Sequence, residues 1–360
     1  YKGNKYACPN LYADELGTFD PEINDAFRFA DCRMFIAYKG RKIVGRIAGI
    51  YHKGVNEKFG YKQVRFTRFD VIDDFEVTKA LFDKLIEWAR ELGMEEIIGP
   101  MSFDDMNEEG MLIDGFDRDS NYIEIYNHAY YVDHMEKLGA YKIVDWNAYR
   151  IKVPEKVDDK LKKLADEVME KNGFTIIDVA YYLKHDKKKL REYVMQALDV
   201  LDEAFEDLYG TSPLSEKQKK RNTETLLQAC IPEFACLVAK DDKVIAYAYC
   251  IPTLKEVLQK GKGKILPGGL IPYIKTMSHP EVADMLSLGV KKQYNNKGIP
   301  AIMIAHILQG LIDKGVKYVE AGPELEENRH VQNLWKNYEA DLAKKYRCWG
   351  LKVDGDKNQS

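Results

Sequence analysis

The chain has 360 residues, 45% of them hydrophobic and 31% charged, which is enough for a sizeable core and too long for one ordinary domain. Its formal net charge is only −4, so no overall electrostatic pull toward nucleic acid or an anionic membrane is expected. No apolar run reaches the roughly 20 residues of a membrane span, the opening residues lack the apolar core of a signal peptide, and the 6 cysteines are scattered without a C-x-x-C pair. Together these lead to the expectation of a cytoplasmic protein with reduced, buried thiols and no metal site.

Residues 1–34 read as an irregular entry with one helical piece near 21–30. Apolar strands at 35–38 and 43–50 flank a Lys-Gly-Arg-Lys turn and form a hairpin, and a strand at 64–69 follows. From 75 to 92, Val77, Leu81, Leu85, Trp88 and Leu92 share one helical face, and Gly93 marks its end. A strand at 97–100, an Asp-, Asn- and Gly-rich loop over 101–121, a helix at 130–138 and an extended stretch at 141–153 complete a first half. Pro154 and a charged run mark a boundary, giving domains 1–153 and 154–360. The second half opens with a helix at 157–172, a strand at 174–180 and two amphipathic helices near 187–208 and 215–229. A hairpin at 236–251 and a Gly- and Lys-rich lead-in at 261–269 come next. The last elements are a strand at 285–290, a polar turn, a helix at 298–314, a strand at 316–321 and a strand containing Tyr346 and Arg347.

The second half repeats the order of the first. FIAYKGRKIVGRIAGI from Phe35 matches CLVAKDDKVIAYAYCI from Cys236 without a gap. GMEEIIGP ending at Pro100 is echoed by GVKYVEAGP ending at Pro323, and Tyr149-Arg150 by Tyr346-Arg347. Three echoes in one order predict an internal duplication of one α/β unit.

The two copies differ where the strand turns into the helix. In the first, Asp70, Asp73, Asp74 and Glu76 crowd the helix start and no glycine is present. Carboxylates cap a helix N-terminus and repel a diphosphate. In the second, Lys291, Lys292 and Lys297 stand with Asn295, Asn296 and Gly298, and no acid lies between Asp284 and Asp313. A helix start of this kind can turn backbone N–H groups toward an anion; a solvated basic turn has the same composition. One anion site per chain, in the second copy, is the expectation.

This element order, with LGVKKQYNNKGIP running from Leu288 to Pro300, resembles the GNAT N-acyltransferase superfamily. Its acyl-CoA loops run L-x-V-x-P-x-Y-R-G-x-G-I-G, with the core Q/R-x-x-G-x-G/A. Leu288, Val290, Tyr294, Gly298 and Ile299 fit; Lys292, Asn295 and Pro300 depart from it. The whole chain resembles bacterial tandem-GNAT proteins, including GRIA from Gly45 and DGFD from Asp114. The resemblance implies an α/β fold (an α+β mixed sheet) of two tandem GNAT-like domains, the first without a CoA site. It implies transfer of an acyl group from acetyl-CoA or another acyl-CoA to a small-molecule or peptide amine. Charge and hydropathy lead to the expectation of no nucleic acid and no membrane partner, and a homodimer stays open.

The residues implied to hold the acyl-CoA are Leu288, Gly289, Val290, Asn295, Asn296, Lys297, Gly298, Ile299, Pro300, Ala301 and Asn328. Main-chain N–H groups from Leu288 to Val290 would hold the thioester carbonyl. Aligning Asn328 with the asparagine that starts the family's C-terminal helix puts Trp335 where the family has its proton-donating tyrosine. Indole cannot serve as an acid, so Tyr338 is the nearest substitute. Glu320 is the candidate for activating the amine, and His330 is a further one. Cys236 and Cys250 read as core thiols. The loop at 104–119 is either a cover for the cleft or a structural crossover. Two rival readings stay open: a catalytically inactive binding or regulatory module, and a transferase drawing on an aminoacyl-tRNA or acyl-carrier-protein donor.

Overall fold

The computed structural model describes residue 1, residues 3–104 and residues 107–354. A short helix α1 (Tyr12–Thr18) and a 3₁₀ turn (Asp25–Arg28) lead into the hairpin of β1 (Ala30–Lys39) and β2 (Lys42–His52). Next come α2 (Lys53–Phe59), β3 (Gln63–Val71), α3 (Phe75–Glu91), β4 (Glu96–Gly99), β5 (Met111–Asp114), α4 (Tyr130–Lys137) and β6 (Tyr141–Lys152). The chain continues through α5 (Asp159–Asn172), β7 (Thr175–Ile176), α6 (Val179–His185), α7 (Lys187–Phe205) and α8 (Glu216–Gln228). It then forms β8 (Ala235–Lys240), β9 (Lys243–Pro252), α9 (Lys255–Gly261), α10 (Leu270–Ser278) and β10 (Val282–Val290). It closes with α11 (Ile299–Asp313), β11 (Tyr318–Leu325), α12 (Arg329–Gln332) and β12 (Ala340–Lys352). The architecture is mixed α/β. Among the described residues no helix is long and apolar enough to cross a membrane.

Three sequence expectations are corrected and a fourth is extended. The strand expected at 174–180 stops at Ile176, because the Asp178 carboxylate accepts the Tyr181 amide at 2.8 Å and starts α6 instead. The entry helix near 21–30 is only a 3₁₀ turn, closed by Asn24 accepting the Ala26 amide at 3.1 Å. The loop at 101–121 contains β5, which pairs with β12 through Leu112 and Tyr346, a partner no local pattern reveals. The lead-in at 261–269 is flanked by two helices, α9 and α10.

The chain forms two compact units. The first comprises Tyr1–Tyr149, Pro323–Asn333 and the chain from Leu342; the second comprises Arg150–Gly322 and Leu334–Asp341. In the first unit the strand order is β1-β2-β3-β4-β12-β6, with β5 on β12. The last strand of the chain thus completes the first unit's sheet, running antiparallel to β4 from Trp349–Gly99 to Lys352–Glu96. Its Trp349 and Leu351 share a core with Phe66 of β3, Ile97 of β4 and Leu81, Phe82, Leu85 and Trp88 of α3. Burying each such side chain contributes about 1.5–3 kcal/mol.

In the second unit the order is β11-β10-β9-β8-β7. Leu190, Tyr193, Leu198 and Leu201 of α7 pack with Leu237 of β8 and Val244 and Tyr247 of β9. The end of β6 belongs here too: Lys152 N–H donates to the Glu339 carbonyl and Val153 N–H to the Lys317 carbonyl, both at 2.9 Å. Each unit's hairpin carries a bulge, between Ala37 and Tyr38 in one and between Val238 and Ala239 in the other. These positions coincide in the ungapped match of the two hairpin sequences. Cys236 and Cys250 are fully buried in the second hairpin, and burial pushes the Cys236 thiol up to about 12. Neither thiol ionises near neutral pH, so neither is a nucleophile.

Candidate functional site

In the second unit β10 pairs with β9 from Ala283–Pro252 to Val290–Ala246, with one irregularity between Met285 and Ser287. Its parallel ladder with β11 covers only Val282–Tyr318 to Met285–Ala321. Beyond the irregularity β10 therefore runs on without β11, and a gap opens along its edge. The Lys291 amide donates to the Ile245 carbonyl at 2.9 Å. Amide direction alternates along an antiparallel strand, so the Leu288 and Val290 N–H groups point away from β9 and into the gap. Side chains alternate as well. The Ser287 and Tyr247 hydroxyls meet at 2.6 Å, and a Cβ on Gly289 would stand 2.8 Å from the Tyr247 ring. Leu288 points to the opposite face and lines a cavity.

The turn after β10 is a 3₁₀ segment (Lys292–Tyr294), followed by exposed Asn295, Asn296 and Lys297 and by Gly298 as the N-cap of α11. Gly298 has φ +80°, and a Cβ there would lie 2.8 Å from Val168 Cγ2 of α5. Left-handed backbone and a packed neighbour both demand glycine. Gly298→Ala is expected to lower the unfolding free energy by about 1–3 kcal/mol in urea titrations; an unchanged midpoint would contradict this geometry. Ile299 is fully buried and anchors the first turn, and Pro300 follows it, so one potential N–H donor is missing. Other amides bond within the turn: Asn295 to Lys292, Lys297 to Tyr294 and Ala301 to Gly298.

The turn is less basic in space than in sequence. Lys292 forms ion pairs with Glu206 and Asp207, and its amide donates to Glu203 Oε1 at 2.8 Å. These acids come from the end of α7 and the residues just after it. The exposed Lys297 remains the better placed of the two to meet an anion.

Behind the turn lies an apolar cavity, open at its mouth. Met303, Ile304, Ile307, Leu308 and Leu311 of α11 form one wall, with Pro300 at its entrance end. Met285 and Leu288 of β10, Ala248 of β9 and Val319 of β11 form another. Ile151, Val153, Leu334, Trp335 and Tyr338 close the remaining side. The α11 residues recur at helical spacing and are readable as a core stripe. The walls from residues 151 and 153 and from 334–338 are brought in by the exchanged chain ends, and the sequence offers no local signal for them.

Leu288, Pro300 and Tyr338 therefore meet at one cavity. The helix expected from Asn328 is short: α12 ends at Gln332 and a 3₁₀ turn covers Asn333–Trp335. Tyr338 is not on a continuing helix but on the following bend, where its amide donates to the Trp335 carbonyl at 3.0 Å. Burial, with a contribution from the Asp158 charge, raises its phenol above the usual range. Asn328 lies in the first unit and caps α12, its Oδ1 accepting the Val331 amide at 3.4 Å. The side chain of His330 lies outside the described residues. Glu320 is not brought to the cavity. Its neighbour Val319 faces the cavity, so Glu320 points to the opposite face, where Arg150 Nη1 donates to Oε1 at 2.7 Å.

The corresponding place in the first unit is built differently. β3 pairs with β4 only from Gln63–Glu96 to Arg65–Ile98, and Arg68 then adopts φ +50°. Asp74 caps α3, accepting the Glu76 amide at 3.2 Å and an ion pair from Lys39 at 3.0 Å. Arg68 pairs with Glu15 at 2.9 Å and lies 3.5 Å from Glu108, whose carboxyl burial pushes up to about 7 against the pull of Arg68. A carboxylate already occupies this helix start. Asp105 and Met106 of the neighbouring loop lie outside the described residues.

A parallel pair that parts at a bulge, opening beside a glycine-capped helix, can be compared with solved folds. The tandem GNAT protein from the clavulanic acid biosynthesis pathway matches with a TM-score of 0.51 at 12% identity, covering 97% of this chain and 90% of its own. The chain has the tandem GNAT fold. No protein-family model matches the sequence. Protein YghO of Escherichia coli (strain K12) is 24% identical over 327 residues, 89% of this chain and 82% of YghO. A bacterial ceramide synthase of Caulobacter vibrioides is 23% identical over 350 residues, 94% of this chain and 88% of its own. Within a tandem GNAT fold, the parted strands and apolar cavity of the second unit form its candidate site.

Proposed function

We propose that the second unit transfers an acyl group from an acyl-CoA to an amine, with the aliphatic part of that group in the cavity beneath α11. The observation that carries this reading is the wall of the cavity: aliphatic and aromatic side chains throughout, reaching from Leu288 to Tyr338. The Leu288 and Val290 amides donate hydrogen bonds to the thioester oxygen, which stabilises negative charge developing there. The amine attacks the thioester carbon, the C–N bond forms and the C–S bond breaks. The leaving thiolate takes the Tyr338 hydroxyl proton, and the amine's proton passes to solvent. Tyr338 lines the cavity, and although burial raises its phenol above the usual range and so makes it a weaker donor than a free tyrosine, it is protonated at neutral pH. Glu320, paired with Arg150, takes no part in the transfer.

The diphosphate is given less than the usual grip. Pro300 lacks an N–H and Lys292 is paired with acids, so Lys297, Asn296 and the Gly298 and Ile299 amides carry the contact. Affinity on this reading rests on the acyl end. The acceptor is a small-molecule or peptide amine. Ceramide is an N-acylated lipid amine, and the name of the Caulobacter relative favours a long-chain amine among small molecules.

Lys297→Glu tests the placement. It is expected to weaken CoA binding about tenfold, the scale of one charge-assisted hydrogen bond, while Asp73→Lys in the first unit leaves it unchanged. Equal effects in a calorimetric titration would contradict a site confined to the second unit. A second reading, acyl binding without transfer, is favoured by Trp335 at the family's tyrosine position. Tight acyl-CoA binding with no thiol release from any amine would favour it over the transferase.

A further inference from the structure

The interval between β9 and β10 carries an exposed apolar patch that the site does not use. In the first unit the equivalent interval, between β2 and β3, holds only the 7-residue α2. In the second unit it holds α9, a Gly-rich turn and α10. Leu266 in the turn is 62% exposed, and on α10 Leu270, Ile271 and Ile274 are 41%, 81% and 56% exposed. Positions 270, 271 and 274 fall within about 100° of arc on a helix, and the buried Pro272 lies on the other side. This face is aliphatic and turned to solvent. Lys260, Lys262, Lys264 and Lys275 flank it in the sequence, all exposed, and no acid occurs from Val257 to Pro280. Glu256, at the start of the segment, pairs with Lys260 and also feels the charge of Lys275. A chain with net charge −4 thus carries a net charge of +3 from Glu256 to Lys275, the segment that holds this apolar surface.

We propose that the turn and α10 dock the second unit on a membrane surface containing anionic phospholipid. An interfacial helix lies flat, with its aliphatic face in the acyl boundary and lysines at headgroup level. Both halves of that requirement are present at residues 260–275. A second copy of the chain is a poorer occupant, because a symmetric contact would set one net positive segment against another. The inference does not depend on the acyl-transfer reading, since it concerns a different surface and is read without turnover.

The test is sedimentation of the full chain with vesicles of phosphatidylcholine alone and of phosphatidylcholine with about a third phosphatidylglycerol. Binding is expected to the anionic vesicles, weakening as salt rises. Leu270→Glu with Ile271→Glu is expected to abolish it. The triple change Lys262→Glu, Lys264→Glu and Lys275→Glu is expected to lower it about a hundredfold. All these positions are exposed, so melting temperature should stay unchanged, and the melt is measured alongside. Absence of binding to anionic vesicles overturns the proposal. So does equal binding by the wild type and the double variant. A wild-type dimer that Ile271→Glu converts to monomer in sedimentation velocity would also overturn it, by assigning the face to a second copy.

Discussion

Tyr338→Phe is expected to lower kcat for thiol release from an acyl-CoA, in the presence of a competent amine, by about 10²–10³-fold. KM for the acyl-CoA should change little. The substitution keeps the ring that forms part of the cavity wall next to Leu334 and Trp335, so packing survives and only the proton donor is lost. Because burial holds the phenol above its usual range, wild-type kcat should not decline between pH 8 and about 10. Full activity in the phenylalanine variant would remove Tyr338 as the proton source. It would leave the leaving group to be protonated by solvent.

Filling the cavity should change which donor is used. Ile304 stands partly buried on α11 and lines the cavity. Ile304→Trp is expected to reduce kcat/KM for an octanoyl donor at least about thirtyfold while leaving an acetyl donor within about threefold. Each buried methylene is worth about 0.8 kcal/mol, so excluding even three of them accounts for such a loss. Overpacking costs about 1–3 kcal/mol of stability, and a thermal melt separates that from the effect on donor choice. Equal losses for both donors, or none, would contradict the assignment of the cavity to the acyl chain.

Much of the fold was legible because its signals are local. The hairpin sequences alternate around charged turns, and both hairpins form at the expected places. Helix α3 follows from Val77, Leu81, Leu85 and Trp88, and α11 from its glycine start and apolar stripe. What the sequence hid depends on distant partners. Strand β5 exists because β12 supplies its ladder, and β12 belongs to the first unit although it follows the whole second unit in sequence. A side-chain cap at Asp178 turned an apolar run from strand to helix.

The site divides in the same way. Gly298, Leu288 and the direction of the Val290 amide follow from a strand feeding a helix. The acids that pair with Lys292 lie on a different helix or just beyond it, so the turn looked more basic in sequence than it is in space. The sidedness of Glu320 required the observation that Val319 faces the cavity. Tyr338 reaches the cavity by a bend rather than by the helix expected from Asn328.

The central claim is that the second unit holds an acyl-CoA chiefly through its acyl group. Isothermal titration of the wild-type chain with CoA, acetyl-CoA and octanoyl-CoA tests it most directly. Octanoyl-CoA is expected to bind at least about tenfold more tightly than acetyl-CoA, with a more negative heat-capacity change as the chain leaves water. CoA itself should bind most weakly. Equal affinity for all three, or no binding of any at millimolar concentration, would contradict the account.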